Sequence, residues 1–208
     1  MERLHLDPTN PDPAVLQQAG DILRRGGVII YPSDTCYGLG ADVRNALARE
    51  RIGRMKQREE SKKYSVIAKD IELIERIAIV DEVQLAILKH YLPGQYTFVL
   101  LSADLSILNS NTIGVRMPKN LVTQGIANAF GSPFISTSAN LGGQPTLYSY
   151  DQLQEDFLQL IDPDDLPNLI LDAGILPHNP PSTVVDLTAT PPAILRQGAV
   201  PFVWPLPQ

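Results

Sequence analysis

Residues 133–143, Pro133-Phe134-Ile135-Ser136-Thr137-Ser138-Ala139-Asn140-Leu141-Gly142-Gly143, pass from a short apolar run into small hydroxyl and amide side chains and end in two glycines. Such a run reads as a buried strand that delivers hydrogen-bond donors to a loop at its end. Hydroxyls, an amide and close backbone N–H groups can surround phosphate or carboxylate oxygens without adding charge. The same residues equally suit a strand end closed by turn bonds from side chain to backbone. The rest of the chain decides between the two.

Working outward, apolar runs of strand length alternate with segments of helical period. Residues 28–31 (Val-Ile-Ile-Tyr) read as a buried strand, and 32–40 (Pro-Ser-Asp-Thr-Cys-Tyr-Gly-Leu-Gly) as a second polar loop at a strand end. Ser33 and Thr35 place hydroxyls where α/β sheets bind ligands. Residues 64–68, 96–101, 112–118, 169–174, 181–187 and 193–198 read as further strands, with helices over 13–25, 45–55, 71–77, 83–90, 121–130 and 147–160. The pattern predicts one α/β domain over 1–208 with a twisted mixed sheet, a core of about 13–198 and a proline-rich tail, 199–208. Arg116, inside an apolar run, requires an anionic partner, either a structural carboxylate or a ligand. Arg196 follows a strand directly.

Composition narrows the class. The chain has 208 residues, 44% hydrophobic and 19% charged, so one packed domain is within reach. A single cysteine, Cys36, excludes an intrachain disulfide framework, and it reads as a small inert side chain. His5, His90 and His178 lack metal-ligand spacing. The opening carries no leader pattern and no apolar run nears the ~18 residues a bilayer requires, so a cytoplasmic protein without a membrane partner is expected. The net charge is −6, yet six basic residues between Arg51 and Lys63 face only Glu59 and Glu60, a local +4. This cluster is either a focusing device at a concave site or a solvated helix end.

Six ordered motifs then converge. Residues 31–40, Lys56-Gln57-Arg58, Val115-Arg116, residues 136–140, residues 182–186 and Leu195-Arg196-Gln197-Gly198 resemble the YrdC/YciO superfamily from about Gly26 to Gly198. The resemblance implies a twisted α/β fold with a positively charged concave face. For the YrdC branch it implies a nucleotidyltransferase that makes L-threonylcarbamoyladenylate from L-threonine, bicarbonate and ATP, with Mg²⁺ carried on the ATP phosphates and no protein metal site. That product feeds the threonylcarbamoyladenosine modification of tRNA, completed by partner proteins. Carried over residue by residue, Lys56 and Arg58 become the catalytic cations, and Arg116 and Arg196 contact phosphate or carboxylate. Ser136, Ser138, Asn140 and Ser182 surround the adenylate, and Ser33 and Thr35 form the threonine pocket.

Ser33, Glu59 and Lys63-Tyr64 depart from the synthase pattern, and residues 6–11 and 93–97 look more like the YciO branch, whereas Lys56-Gln57-Arg58 is synthase-like. The alternative is a non-catalytic, ribosome-associated or RNA-binding protein. With few aromatic side chains for base stacking, its target would be double-stranded or folded RNA.

Overall fold

A computed structural model describes residues 1–57, 64–105, 107–108 and 110–205. The strands are β1 Glu2–His5, β2 Val28–Pro32, β3 Tyr37–Ala41, β4 Ser65–Ile67, β5 Ala78–Ile79, β6 Tyr96–Ser102, β7 Thr112–Arg116, β8 Phe134–Ser138, β9 Leu169–Asp172, β10 Thr183–Asp186 and β11 Ala193–Arg196. The helices are α1 Pro13–Arg24, α2 Ala46–Lys56, α3 Ile71–Ile77, α4 Glu82–Tyr91, α5 Leu121–Phe130 and α6 Tyr150–Asp156. The strands form one sheet in the order β1-β9-β2-β3-β8-β4-β7-β6-β10-β11, with β5 added to β6. Parallel pairs (β1–β9, β2–β9, β4–β7, β6–β10) mix with antiparallel ones, which gives the mixed α/β architecture expected from the sequence.

Strand periodicity divides the sheet into two chemically different faces. Ile135 pairs with Val66, Val66 with Val115, Val115 with Phe98 and Phe98 with Val185, and all five are buried in the main core. One residue along, Ser136 pairs with Ser65, Ser65 with Gly114 and Gly114 with Val99. Because successive side chains point to opposite faces, an apolar row on one face requires this mostly polar row on the other. Helices α1 and α5 cover part of the polar face, packing Leu16, Leu23, Val122 and Ile126 with Ile29, Tyr31, Ile67 and Phe134. Beyond them the face is open.

Helix starts follow from local chemistry. Asp12, Asn45, Asp70, Asp81, Asn120 and Ser149 each accept a hydrogen bond from a backbone N–H of the first turn, and Asp81 with Gln84 completes a capping box. Each such cap is worth about 1 kcal/mol.

The structure corrects several expectations. The polar loop after β2 is only 33–36, because Tyr37–Ala41 returns as a strand antiparallel to β2. Its glycines pack rather than turn: a Cβ on Gly38 would lie 3.0 Å from the Tyr31 ring, and one on Gly40 3.1 Å from Phe134. The helix expected over 147–160 is confined to Tyr150–Asp156, because Ser149 caps it and Leu147 is buried in the core instead. At the ends, β1 pairs with β9 ahead of residue 13, and Phe202 of the tail packs against Tyr91 and Phe98.

Asp172 ties the β1 edge down. It receives Arg3 Nε at 3.0 Å and Nη2 at 2.6 Å, the Gly174 N–H at 2.9 Å, and lies 3.1 Å from His5 Nδ1. Burial, the largest single influence, pushes its carboxyl up, but Arg3, the Gly174 amide and His5 together hold it below the usual carboxylate value. A depressed carboxyl contributes stability above its unfolded pKa of about 3.9 and loses it as pH falls through the folded value. Asp172→Asn is therefore expected to be less stable than the parent at pH 7, and urea midpoints should converge as the pH is lowered below about 4. A gap that stays constant with pH would show that Asp172 does not act through its charge.

Candidate active site

The open part of the polar face is the floor of a cavity of about 540 Å³. Gly38 of β3, Ser136 and Ser138 of β8, Ser65 of β4, Thr112, Gly114 and Arg116 of β7, and Thr97 of β6 form it. The β2–β3 turn supplies Ser33, Thr35 and Cys36, and the crossing segment that joins β9 to β10 supplies Asn179, Pro181 and Ser182. Arg196, at the end of β11, closes the far side. Close backbone packing holds this end in place: a Cβ on Gly198 would collide with the Pro181 carbonyl, and the Gly198 N–H bonds Thr183 Oγ1 at 3.0 Å.

Hydroxyl directions follow from who already accepts. Ser136 Oγ accepts from the Tyr31 hydroxyl at 3.4 Å and lies 3.5 Å from Arg116 Nη1, which leaves its own proton for the cavity. Ser138 donates to Asn140 Oδ1 at 2.5 Å and keeps its lone pairs. Ser182 and Thr97 share a hydrogen bond of 2.9 Å, and Arg196 Nη2 donates to Ser182 Oγ at 3.1 Å. The floor is thus a set of fixed dipoles, with the Tyr31 hydroxyl kept protonated because burial pushes it up to about 12.

Two arginines bring charge. Arg116 Nη2 meets Asp34 Oδ1 at 2.9 Å, with the two side chains only 11% and 6% exposed. The anionic partner demanded by the sequence is therefore, in part, a carboxylate of the chain itself. Asp34 Oδ2 and Arg116 Nε are both buried without a partner among the described residues. Burial pushes the Asp34 carboxyl up, with Arg116 opposing the shift. Arg196 donates through Nε and Nη2 to the Ser182 carbonyl and faces no carboxylate among the described residues. Burial lowers its pKa, and the Arg116 charge adds to that shift.

Seven of the ten residues singled out from sequence line this cavity: Ser33, Thr35, Arg116, Ser136, Ser138, Ser182 and Arg196. Arg58 lies outside the described residues. Lys56 and Asn140 sit behind the wall. Lys56 is 3% exposed, and its ammonium donates to the Ser138 carbonyl, to the Asn140 carbonyl at 2.8 Å and to Asn140 Oδ1 at 3.0 Å. Asn140 is spent the same way, its amide bonding the Gln144 carbonyl at 2.5 Å. Ser33 Oγ is engaged in the turn, donating to the Cys36 carbonyl at 2.7 Å and accepting from the Thr35 and Cys36 amides. The basic cluster is likewise divided. Arg54 pairs with Asp165 at 2.7 Å and Arg51 bonds the carbonyls of Asp165 and Leu166, so neither helps to focus charge on the cavity.

Sequence reasoning missed Thr97, Asp34, Asn179 and Tyr148. Thr97 could have been found from its alternation with Phe98 in β6, since a threonine on the face opposite a core phenylalanine points to the polar side. Asn179 and Tyr148 lie in irregular chain that gives no such signal; Tyr148 stacks on His178 with ring centroids 3.9 Å apart.

Comparison with known proteins places the cavity in context. The Sua5/YciO/YrdC family model, described as Telomere recombination, matches residues 21–198. Escherichia coli YciO, described as uncharacterized, is 33% identical over 199 residues, covering 93% of this chain and 94% of that protein. Its crystal structure superposes with a TM-score of 0.83. A Vibrio vulnificus threonylcarbamoyl-AMP synthase is 32% identical, covering 88% of this chain and 98% of that protein. The crystal structure of Pyrococcus abyssi Sua5 complexed with L-threonine gives a TM-score of 0.85 at 28% identity, covering 97% of this chain and 58% of the archaeal one.

Proposed function

This chain belongs to the Sua5/YciO/YrdC family, and from that footing we propose that it is an L-threonylcarbamoyladenylate synthase acting in tRNA threonylcarbamoyladenosine modification. The carrying observation is one hydroxyl-floored cavity of about 540 Å³ into which two arginines reach, a size and polarity suited to small anionic molecules. The L-threonine bound to the Pyrococcus relative supports threonine as one substrate.

The reaction needs alignment more than a nucleophile. The neutral threonine amine adds to carbon dioxide and loses a proton, or displaces water from bicarbonate, to give a carbamate. A carbamate oxygen then attacks the α-phosphorus of ATP, the bond to the β-phosphate oxygen breaks, and pyrophosphate leaves. Several anions must be held together against their repulsion, which is work for guanidinium groups and preorganised hydroxyl donors. In this reading Arg196 and Ser182 hold phosphate oxygens, the Ser136 hydroxyl donates to the ligand, and Arg116 holds the threonine carboxylate beside Thr35. Ser33, Asn140 and Lys56 shape the two loops that carry these groups. Mg²⁺ enters with the nucleotide phosphates.

The test is pyrophosphate release by the purified chain with Mg-ATP and bicarbonate, with and without L-threonine, and mass spectrometry of the adenylate. Threonine-dependent release with the expected adenylate mass supports the reading. Folded protein that releases no pyrophosphate in response to threonine overturns it.

A further inference from the structure

We infer that Asp34 makes the Arg116 end of the cavity selective for a zwitterionic α-amino acid over a plain carboxylate anion, an inference that rests on the threonine reading above. Asp34 lies 2.9 Å from Arg116 with its side chain 6% exposed. Its backbone is anchored from two sides, because its carbonyl accepts from Asn179 Nδ2 at 2.9 Å and from Gln95 Nε2 at 3.3 Å. Two other segments of chain thus fix the backbone from which the carboxylate meets the guanidinium.

That placement sets the charge seen by a ligand. Burial pushes the Asp34 carboxyl up, but the Arg116 contact at 2.9 Å favours its ionised form, and with Asp34 ionised the two are a net-neutral pair, while Arg196 at the other end has no carboxylate beside it among the described residues. Among the other titratable side chains of the wall, Tyr31 and Cys36 are uncharged at neutral pH, since burial raises both. Lys56 is behind the wall with its ammonium turned to the carbonyls of Ser138 and Asn140. A lone carboxylate entering beside Arg116 meets an attractive cation and, 2.9 Å behind it, a repulsive anion that offsets part of the attraction. An α-ammonium carried on the same ligand reverses the second effect, because it is attracted to Asp34.

Among the described residues neither Asp34 Oδ2 nor Arg116 Nε has a partner, so the buried pair keeps one acceptor and one donor unspent behind the cavity wall. Both atoms are sealed from solvent, so Asp34 acts on the ligand through its field and through the orientation of Arg116. It is a positioning and specificity residue, not a catalytic one. The pair also explains how a cavity with two arginines can keep its ends distinct. The net-cationic Arg196 end favours a phosphate, and the neutral Arg116 end favours the amino acid.

The probe pair is L-threonine and 2,3-dihydroxybutanoate, the same skeleton with a hydroxyl in place of the ammonium. Calorimetry on the full chain should give L-threonine at least about tenfold tighter than the hydroxy acid. Asp34→Asn, nearly the same in shape, should shrink that ratio by about tenfold by weakening threonine and strengthening the hydroxy acid. An unchanged ratio in folded Asp34→Asn overturns the inference. If the variant does not fold, the unmodified chain decides alone, since equal affinities for the two compounds overturn it. No binding of L-threonine, with pyrophosphate still bound, removes the threonine reading and this inference with it.

Discussion

Replacing Arg196 by alanine should lower threonine-dependent pyrophosphate release about 10²-fold while shifting the melting temperature by no more than about 2 °C. The side chain lies on the edge strand β11 with only its guanidinium partly buried against Ser182, so little packing is lost with it. Its Nε and Nη2 are fixed on the Ser182 carbonyl at 3.1 and 2.9 Å, which aims the remaining Nη1 without any reorganisation at the moment of reaction. Charge that grows on the departing pyrophosphate is where such a preorganised donor counts, and one lost donor of this kind costs about 2.7–4 kcal/mol in a water-excluded site. A guanidinium only partly buried belongs at the lower end of that range. Kinetics of pyrophosphate release with the alanine and lysine variants check this. A rate within fivefold of the parent for Arg196→Ala would remove Arg196 from the reacting centre.

The second large effect is structural in origin. Lys56→Met keeps the length of the side chain but leaves the carbonyls of Ser138 and Asn140 and the Oδ1 of Asn140 without their ammonium donor. Asn140 Oδ1 keeps the Ser138 hydroxyl and the Ser138 carbonyl keeps the Asn140 N–H, so the Asn140 carbonyl bears most of the loss; a buried acceptor left unmet costs about 1–3 kcal/mol, and the expected loss of stability is about 2 kcal/mol. Activity should fall with it, because Ser138 lines the cavity and its loop is also held by the Lys56 carbonyl, which accepts the Gly142 N–H at 2.7 Å. The urea midpoint and the turnover rate must be measured together. Full stability with lost turnover would mean that the ammonium leaves this loop and reaches the substrate directly, as the family resemblance implied.

These two residues show where a sequence informs and where it stops. The strand at Ser136 and the run ending in Arg116 were readable because alternation in a strand is local: once Ile135 and Val115 are assigned to the core, Ser136 and Arg116 must face the other way. Helices α3 and α5 were legible from periodic apolar residues for the same reason. Strand β3 was not, because Gly38 and Gly40 read as turn residues. Only the ring of Tyr31, from the neighbouring strand, and that of Phe134 explain why glycine is needed there. Lys56 was identified as important, yet its partners Ser138 and Asn140 are more than eighty residues away, and no local pattern states which way an ammonium points. Asp34 escaped notice for the same reason, since its meaning comes from Arg116, 82 positions along the chain.

The two rows of the sheet have a consequence for how such a chain can change over generations. Ile135, Val66, Val115, Phe98 and Val185 maintain the fold from one side, while Ser136, Ser65 and Gly114 line the cavity from the other, on the same strands. Substitutions in one row leave the neighbours of the other largely untouched, so their effects should add rather than interfere. A lineage can then revise what it recognises one residue at a time without first finding a new way to stay folded.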